Sequence, residues 1–88
     1  MRPLPPTPEE ITVPMLTSAF TVLTPRECEV LRWILRAKRD SEIATIIRNS
    51  TRTTSTHVCN ILSKFSVETR LAAAMEVVRV VICGRPWR

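Results

Sequence analysis

The chain has 88 residues, 44% of them apolar and only 5% aromatic, which sets one domain with a modest, mainly aliphatic core. Thirteen Lys and Arg against eight Asp and Glu give a formal charge of +5; this suits a polyanionic partner (DNA, RNA or an acidic membrane) and equally suits plain solubility. One His, one Gly and three scattered cysteines leave no metal-ligand spacing, phosphate loop or catalytic constellation, so the chain reads as no enzyme and as needing no cofactor or metal. No apolar run reaches the length of a membrane span, and the proline-bearing start has no signal-peptide core. The odd number of cysteines fits reduced thiols, and the expected location is the cytoplasm, at the nucleoid.

Pro3, Pro5, Pro6, Pro8 and Pro14 crowd the first 14 residues. Proline fixes φ and removes a backbone donor, so residues 1–22 read as an extended arm or linker. Ile11, Val13, Met15, Leu16 and Phe20 give that arm enough apolar surface for part of it to pack on the domain. A first helix starts at a capping box, with Thr24 as N-cap, Pro25 at the first helical position and Glu27 at the third. Val30, Leu31, Ile34 and Leu35 carry its helical period to about Arg36, which leaves Arg26, Arg32 and Arg36 toward solvent.

After the polar link Lys38-Arg39-Asp40, either Asp40 or Ser41 can cap a second helix of about two turns through Ile43, Ala44 and Ile47. Arg48-Asn49-Ser50 breaks it, and Ser50 can cap a third helix over about residues 51–65. Thr54, Val58, Ile61, Leu62 and Phe65 share one face of that helix. Arg52, Thr56, Cys59 and Ser63 repeat on another, with Ser55 beside them, and these outward side chains are mostly short and polar.

A fourth helix begins near Glu68 or Thr69 and runs to about Cys83, apolar almost all round. Leu71, Met75, Val78 and Ile82 make one stripe; Ala73, Ala74, Val77, Val80 and Val81 make a second. A terminal helix turns only one face to the core, so the other needs a second copy of the chain or the N-terminal arm to cover it. Leu71, Met75, Val78 and Ile82 are taken as the dimer surface, with the opposite face as the alternative. Gly84 and Pro86 end the helix, and Trp87 can fold back onto it.

A short helix, a three-residue turn and a longer helix with a polar outer face form a helix-turn-helix, whose second helix fits the major groove of DNA. Leu23-Thr24-Pro25-Arg26-Glu27, Glu29-Val30-Leu31, Glu42-Ile43-Ala44, Thr53, His57, Asn60-Ile61-Leu62, Lys64 and Val67 together resemble the LuxR-type (GerE-like) DNA-binding domain, in register from Leu23 to about Ala74. The resemblance implies an all-α, four-helix helix-turn-helix domain over residues 23–88, preceded by the extended arm. It also implies binding of double-stranded DNA as a homodimer, with the fourth helix often making the dimer contact. Relatives often carry a receiver or sensor domain upstream; residues 1–22 are too short for one, so the chain reads as a stand-alone form or an effector piece. Three departures stand out. Ala37, Arg48 and Ser66 occupy positions where the family usually has glycine, so those turns are expected to be altered or strained. Thr54 replaces a usual buried valine and Asn49 a usual isoleucine. Ser55, Thr56 and Cys59 are shorter than the groove-facing residues of many relatives.

The candidate DNA contacts are Arg39, Ser41, Ser50, Arg52, Ser55, Thr56, Cys59, Ser63 and Lys64. Arg52 can donate twice to a guanine edge or clamp a phosphate, and Lys64 can reach phosphate from the far end of the helix. Arg39, Ser41 and Ser50 lie at helix starts that favour phosphate, although capping explains the two serines equally well. The function expected is sequence-specific transcriptional regulation. The alternative is a helix-turn-helix scaffold turned protein–protein module with weak or lost DNA binding, which the missing glycines and short outer residues favour.

Overall fold

Apolar spacing and caps place most of the described residues in helices. The computed structural model describes residue 4 and residues 6–87; Pro3 and Pro5 of the expected arm lie outside them. In chain order the elements are a 3-10 turn at Pro8–Glu10, α1 at Val13–Ala19, α2 at Pro25–Leu35, α3 at Asp40–Ile47, α4 at Thr51–Phe65, α5 at Arg70–Val77 and a π-helical turn at Val78–Ile82. The architecture is all-α, and α2–α5 are the four expected helices. Among the described residues, no helix is long and apolar enough to cross a membrane.

The expected extended arm is helical at residues 8–10 and 13–19, with Ile11 and Thr12 extended between them. Thr12 caps α1 by accepting a hydrogen bond from the Met15 N–H. Pro14 sits in the first turn, where the missing N–H has no helical partner to lose. Pro8 likewise opens the 3-10 turn. Pro8 and Pro14, which signal extension when read within the cluster, therefore act as helix starters. Ile11, Leu16 and Phe20 are buried and belong to the same core as Leu31, Ile43, Ile61 and Phe65. α1 packs on α2 and on the π-helical turn, and Arg36 donates to the Glu9 carbonyl at 2.7 Å.

Although aromatics are few, three of them meet. Phe20 and Phe65 have ring centroids 4.9 Å apart. Trp87 packs on both, at 5.9 Å from Phe20 and 5.8 Å from Phe65. The return of the tail depends on the π-helical turn. The Cys83 N–H donates to the Val78 carbonyl and the Arg85 N–H to the Arg79 carbonyl, while Gly84 takes φ +69°. Arg79 donates to Glu76 and to the Pro86 carbonyl, holding the reversed segment. Trp87 thus folds back, but its ring meets Phe20 of the arm and Phe65 of α4, where the sequence pointed to the fourth helix.

Arg26, Arg32 and Arg36 are not free toward solvent as the period predicts. All three are half-buried, and the Arg32 and Arg36 guanidinium carbons lie 5.1 and 5.0 Å from the Trp33 ring, within cation–π range.

The three positions without the family's glycine keep the left-handed geometry glycine would supply. Ala37, Arg48 and Ser66 have φ of 60°, 58° and 57°. Each closes a helix with the same pair of backbone hydrogen bonds. After α2, the Ala37 and Lys38 N–H groups donate to Ile34 and Trp33 carbonyls; after α3, Arg48 and Asn49 donate to Thr45 and Ala44; after α4, Ser66 and Val67 donate to Ser63 and Leu62. The turns are strained rather than altered, because the closing bonds outweigh a Cβ penalty of about 1–2 kcal/mol per residue. Thr54 is fully buried, and its hydroxyl has no hydrogen-bond partner among the described residues.

Substituting glycine singly at Ala37, Arg48 or Ser66 is expected to stabilise the domain by about 0.5–1 kcal/mol each, since relief of the Cβ clash exceeds the entropy glycine adds to the unfolded chain. Denaturant midpoints with an unchanged slope check this. Thr54→Val keeps the side-chain shape and removes a buried unpaired hydroxyl. It is expected to stabilise by about 1 kcal/mol or more, a rise in Tm of about 4–8 °C for each kcal/mol in a domain of this size.

Candidate nucleic-acid interface

The turn between α3 and α4 is built from local chemistry. α3 ends at the left-handed Arg48, and Ser50 opens α4 by accepting from the Thr53 N–H at 3.0 Å. The inner face of α4 is buried through Thr54, Val58, Ile61 and Phe65, whereas Arg52, Thr56, Cys59 and Ser63 are exposed on its outer face. Arg26 of α2 braces the pair: it donates to the Ile47 carbonyl at the end of α3 at 2.7 Å and pairs with Glu29 at 2.6 Å.

Glu27 joins the start of α2 to the end of α4. Its Oε1 accepts from the Thr24 N–H at 2.8 Å and from Lys64 Nζ at 2.7 Å. The Glu27 side chain is 4% exposed and that of Lys64 33%. Burial alone would raise the Glu27 carboxyl, but the Lys64 hydrogen bond, the Thr24 amide and the Lys64 charge together hold it below its ordinary value. Beside it, burial pushes the Cys28 thiol up, and the side chain packs in the core.

A second polar link ties α3, α4 and α5. Asp40 accepts from Ser55 Oγ at 2.8 Å through one carboxylate oxygen and from Arg70 through the other. Arg70 also donates to the Lys38 carbonyl in the turn before α3. Asp40 is therefore not the N-cap of α3 but its first helical residue. Arg39 stands at the cap, with its N–H donated to Glu42 Oε1 at 2.9 Å.

The predicted contact residues separate accordingly. Arg52, Thr56, Cys59 and Ser63 share the outer face of α4, and Ser50 lies exposed at its start. Thr56 Oγ1 donates to the Arg52 carbonyl, as a helical threonine commonly does. Arg39 and Ser41 are exposed at the start of α3. Two candidates, both partly exposed, are engaged by partners within the domain. Lys64 is drawn inward to Glu27 because a buried carboxylate needs a cation, and Ser55 is half-buried with its hydroxyl turned to Asp40. Of the predicted dimer stripe, Leu71 is 73% and Met75 56% exposed, whereas Val78 and Ile82 are half-buried. The opposite face of α5 enters the core through Ala73 and Val77.

Sequence reasoning missed Arg48 as a candidate contact, reading it as a lost glycine and as part of the break after the second helix. It is an exposed cation in the turn between α3 and α4. Its place beside Ser50 in a predicted turn was the available signal. Asp40 and Arg70 were missed as a pair because they are 30 residues apart, and no local pattern joins them.

These features define a helix-turn-helix domain, with α3 as the bracing helix and α4 as the helix whose polar face is open. Residues 21–77 match the family of bacterial regulatory proteins of the luxR type, and the chain belongs to that family, whose members are DNA-binding transcriptional regulators rather than enzymes. It is 43% identical over 56 residues to the transcriptional activator protein AnoR of Acinetobacter nosocomialis, covering 64% of this chain and 24% of AnoR. It is 36% identical over 56 residues to the nitrate/nitrite response regulator protein NarP of Escherichia coli (64% and 26% of the two chains), and 37% identical over 71 residues to the transcriptional activator protein YukR of Yersinia ruckeri (75% and 31%). The chain thus spans between about a quarter and a third of these relatives' lengths. No solved structure matches it.

Because the folded-state pKa of Glu27 is depressed, its ionised form stabilises the fold above the ordinary carboxylate value of 4.5, and that contribution disappears as pH falls through the lowered value. Wild type is therefore expected to lose stability on acidification from about pH 5 downward more steeply than Glu27→Gln. Thermal melts of both proteins across that range check the slope. Lys64→Met, which leaves the buried carboxylate with only the Thr24 amide, is expected to cost about 1–3 kcal/mol at neutral pH.

Proposed function

We propose that this chain is a sequence-specific transcriptional regulator that binds double-stranded DNA as a homodimer, with α4 in the major groove. The observation that carries the reading is the two-faced character of α4: a fully packed inner face, and an outer face of exposed Arg52, Thr56, Cys59 and Ser63. Arg39 and Arg48 stand exposed on either side of α3, and their side chains, like that of Arg52, have no ion-pair partner among the described residues. Such cations suit phosphate contacts that set register, while the short polar residues of α4 suit base edges. Ser41 and Ser50 are placed for phosphate at the starts of α3 and α4.

Dimerisation is supported by Leu71 and Met75. They leave two large apolar side chains in water on α5, in a groove whose apolar lining includes Val67, Ala72 and Val78 and whose charged lining is Glu76, Arg79 and Arg85. Among the described residues, α1 of the arm packs on α2 and the π-helical turn, and Leu71 and Met75 stay exposed. A twofold pairing of α5 with its copy would bury the Leu71–Met75 stripe and present two α4 helices to two half-sites. A regulator of this kind works at the nucleoid, in the cytoplasm. The second reading, a protein–protein module, is favoured by the engagement of Lys64 with Glu27, which removes a cation from the DNA side.

Selection of bound duplexes from random DNA, with the mass of the complex measured alongside, tests both readings. The expected result is a two-half-site sequence bound by two chains, with Arg52→Ala weakening binding and lowering the salt slope by about 1. Leu71→Glu with Met75→Glu is expected to give a folded monomer with much weaker binding. A folded protein that selects no sequence even at low salt overturns the DNA reading and leaves the protein–protein module.

A further inference from the structure

We infer that Asp40 is a specificity-determining residue that makes the Ser55 hydroxyl an obligate hydrogen-bond acceptor toward DNA, so that Ser55 favours an amino base over a keto base at one position of each half-site. The inference rests on the proposed reading of DNA by α4.

A serine hydroxyl has one proton to donate and two lone pairs to accept with, so it does not by itself tell a base amine from a base carbonyl. In this chain the choice is made within the protein. Ser55 Oγ donates its proton to Asp40 Oδ2 at 2.8 Å. The direction is forced, because an ionised carboxylate only accepts. Asp40 is in turn held by Arg70, which donates to its Oδ1 and to the Lys38 carbonyl. The Arg70 pair takes Oδ1 and leaves Oδ2 facing Ser55. With its proton committed inward, Ser55 has only lone pairs left for an outside partner.

Ser55 is the fifth residue of α4 and half-exposed, in the N-terminal part of the helix that contacts base edges in helix-turn-helix complexes. In the major groove, adenine N6 and cytosine N4 donate, whereas guanine O6 and N7 and thymine O4 only accept. A lone-pair-only hydroxyl therefore pairs with adenine or cytosine on the strand it faces and meets guanine or thymine acceptor to acceptor. The same geometry disfavours a Ser55 contact to phosphate, which also only accepts and would face the Asp40 carboxylate. This deepens the role of Ser55 from a general polar contact to one of defined polarity.

The test compares bound sequences selected from random duplex DNA by wild type, Asp40→Asn and Ser55→Ala, each checked for folding by its thermal melt. Wild type is expected to show one position per half-site where adenine and cytosine exceed guanine and thymine by about fivefold, the worth of one net hydrogen bond. In Asp40→Asn, Arg70 retains the amide oxygen as its acceptor. The amide nitrogen then faces Ser55, whose proton is released outward, and the preference at that position is expected to turn toward guanine and thymine. Ser55→Ala keeps the Asp40–Arg70 pair and is expected to lose the preference either way. If wild type selects a sequence and both variants keep an unchanged amino-to-keto ratio at every position, the inference is overturned while the DNA reading stands. If folded wild type selects no sequence, the DNA reading falls and this inference with it. Should Asp40→Asn not fold, Ser55→Ala decides: an unchanged ratio overturns the inference, and its loss at one position supports it.

Discussion

One carboxylate oxygen ties the two ends of this domain's central packing together. Glu27 Oε1 receives both the Thr24 amide, which starts α2, and the Lys64 ammonium, which lies near the end of α4. A charge so deeply buried is tolerated only when its partners are in place. The start of α2 and the far end of α4 are therefore registered against each other, and α3 must close between them. The consequence reaches the open face: a lysine that sequence pattern offers to DNA is needed inside, and the outer face of α4 is left to Arg52 and short polar side chains.

The features legible in the sequence are those written over three or four residues. Thr24-Pro25-Glu27 signals α2 and Ser50 signals α4, because caps act on the nearest unpaired N–H groups. The apolar period of α4 separates its buried face from its open one. The family motifs agree in register with both. The prolines misled because proline has two local meanings, extension when clustered and helix initiation when it falls in a first turn; Thr12, two residues before Pro14, carried the second meaning. The polar links were not legible at all. Lys64 and Glu27 are 37 residues apart, Asp40 and Ser55 are 15 apart, and only the crossing of the helices brings them together.

The left-handed closures after α2, α3 and α4 show geometry outlasting the residue that usually provides it. Two backbone hydrogen bonds define each closure, and any residue that tolerates the strain can stand there. At Arg48 the strained residue also puts a cation into the turn of the helix-turn-helix, where glycine would offer none. Strain at this position is thus coupled to charge at the open face.

The arm, the tail and α4 meet at Phe20, Phe65 and Trp87. The chain has a second indole, Trp33, which lies apart from that cluster under the guanidinium groups of Arg32 and Arg36. The two indoles therefore sit in chemically different surroundings, one among rings and one against cations. Emission from Trp87 reports the seating of the arm and tail, whereas emission from Trp33 reports the surface of α2. The molecule carries its own pair of optical probes, able to separate release of its ends from loss of the helix-turn-helix itself.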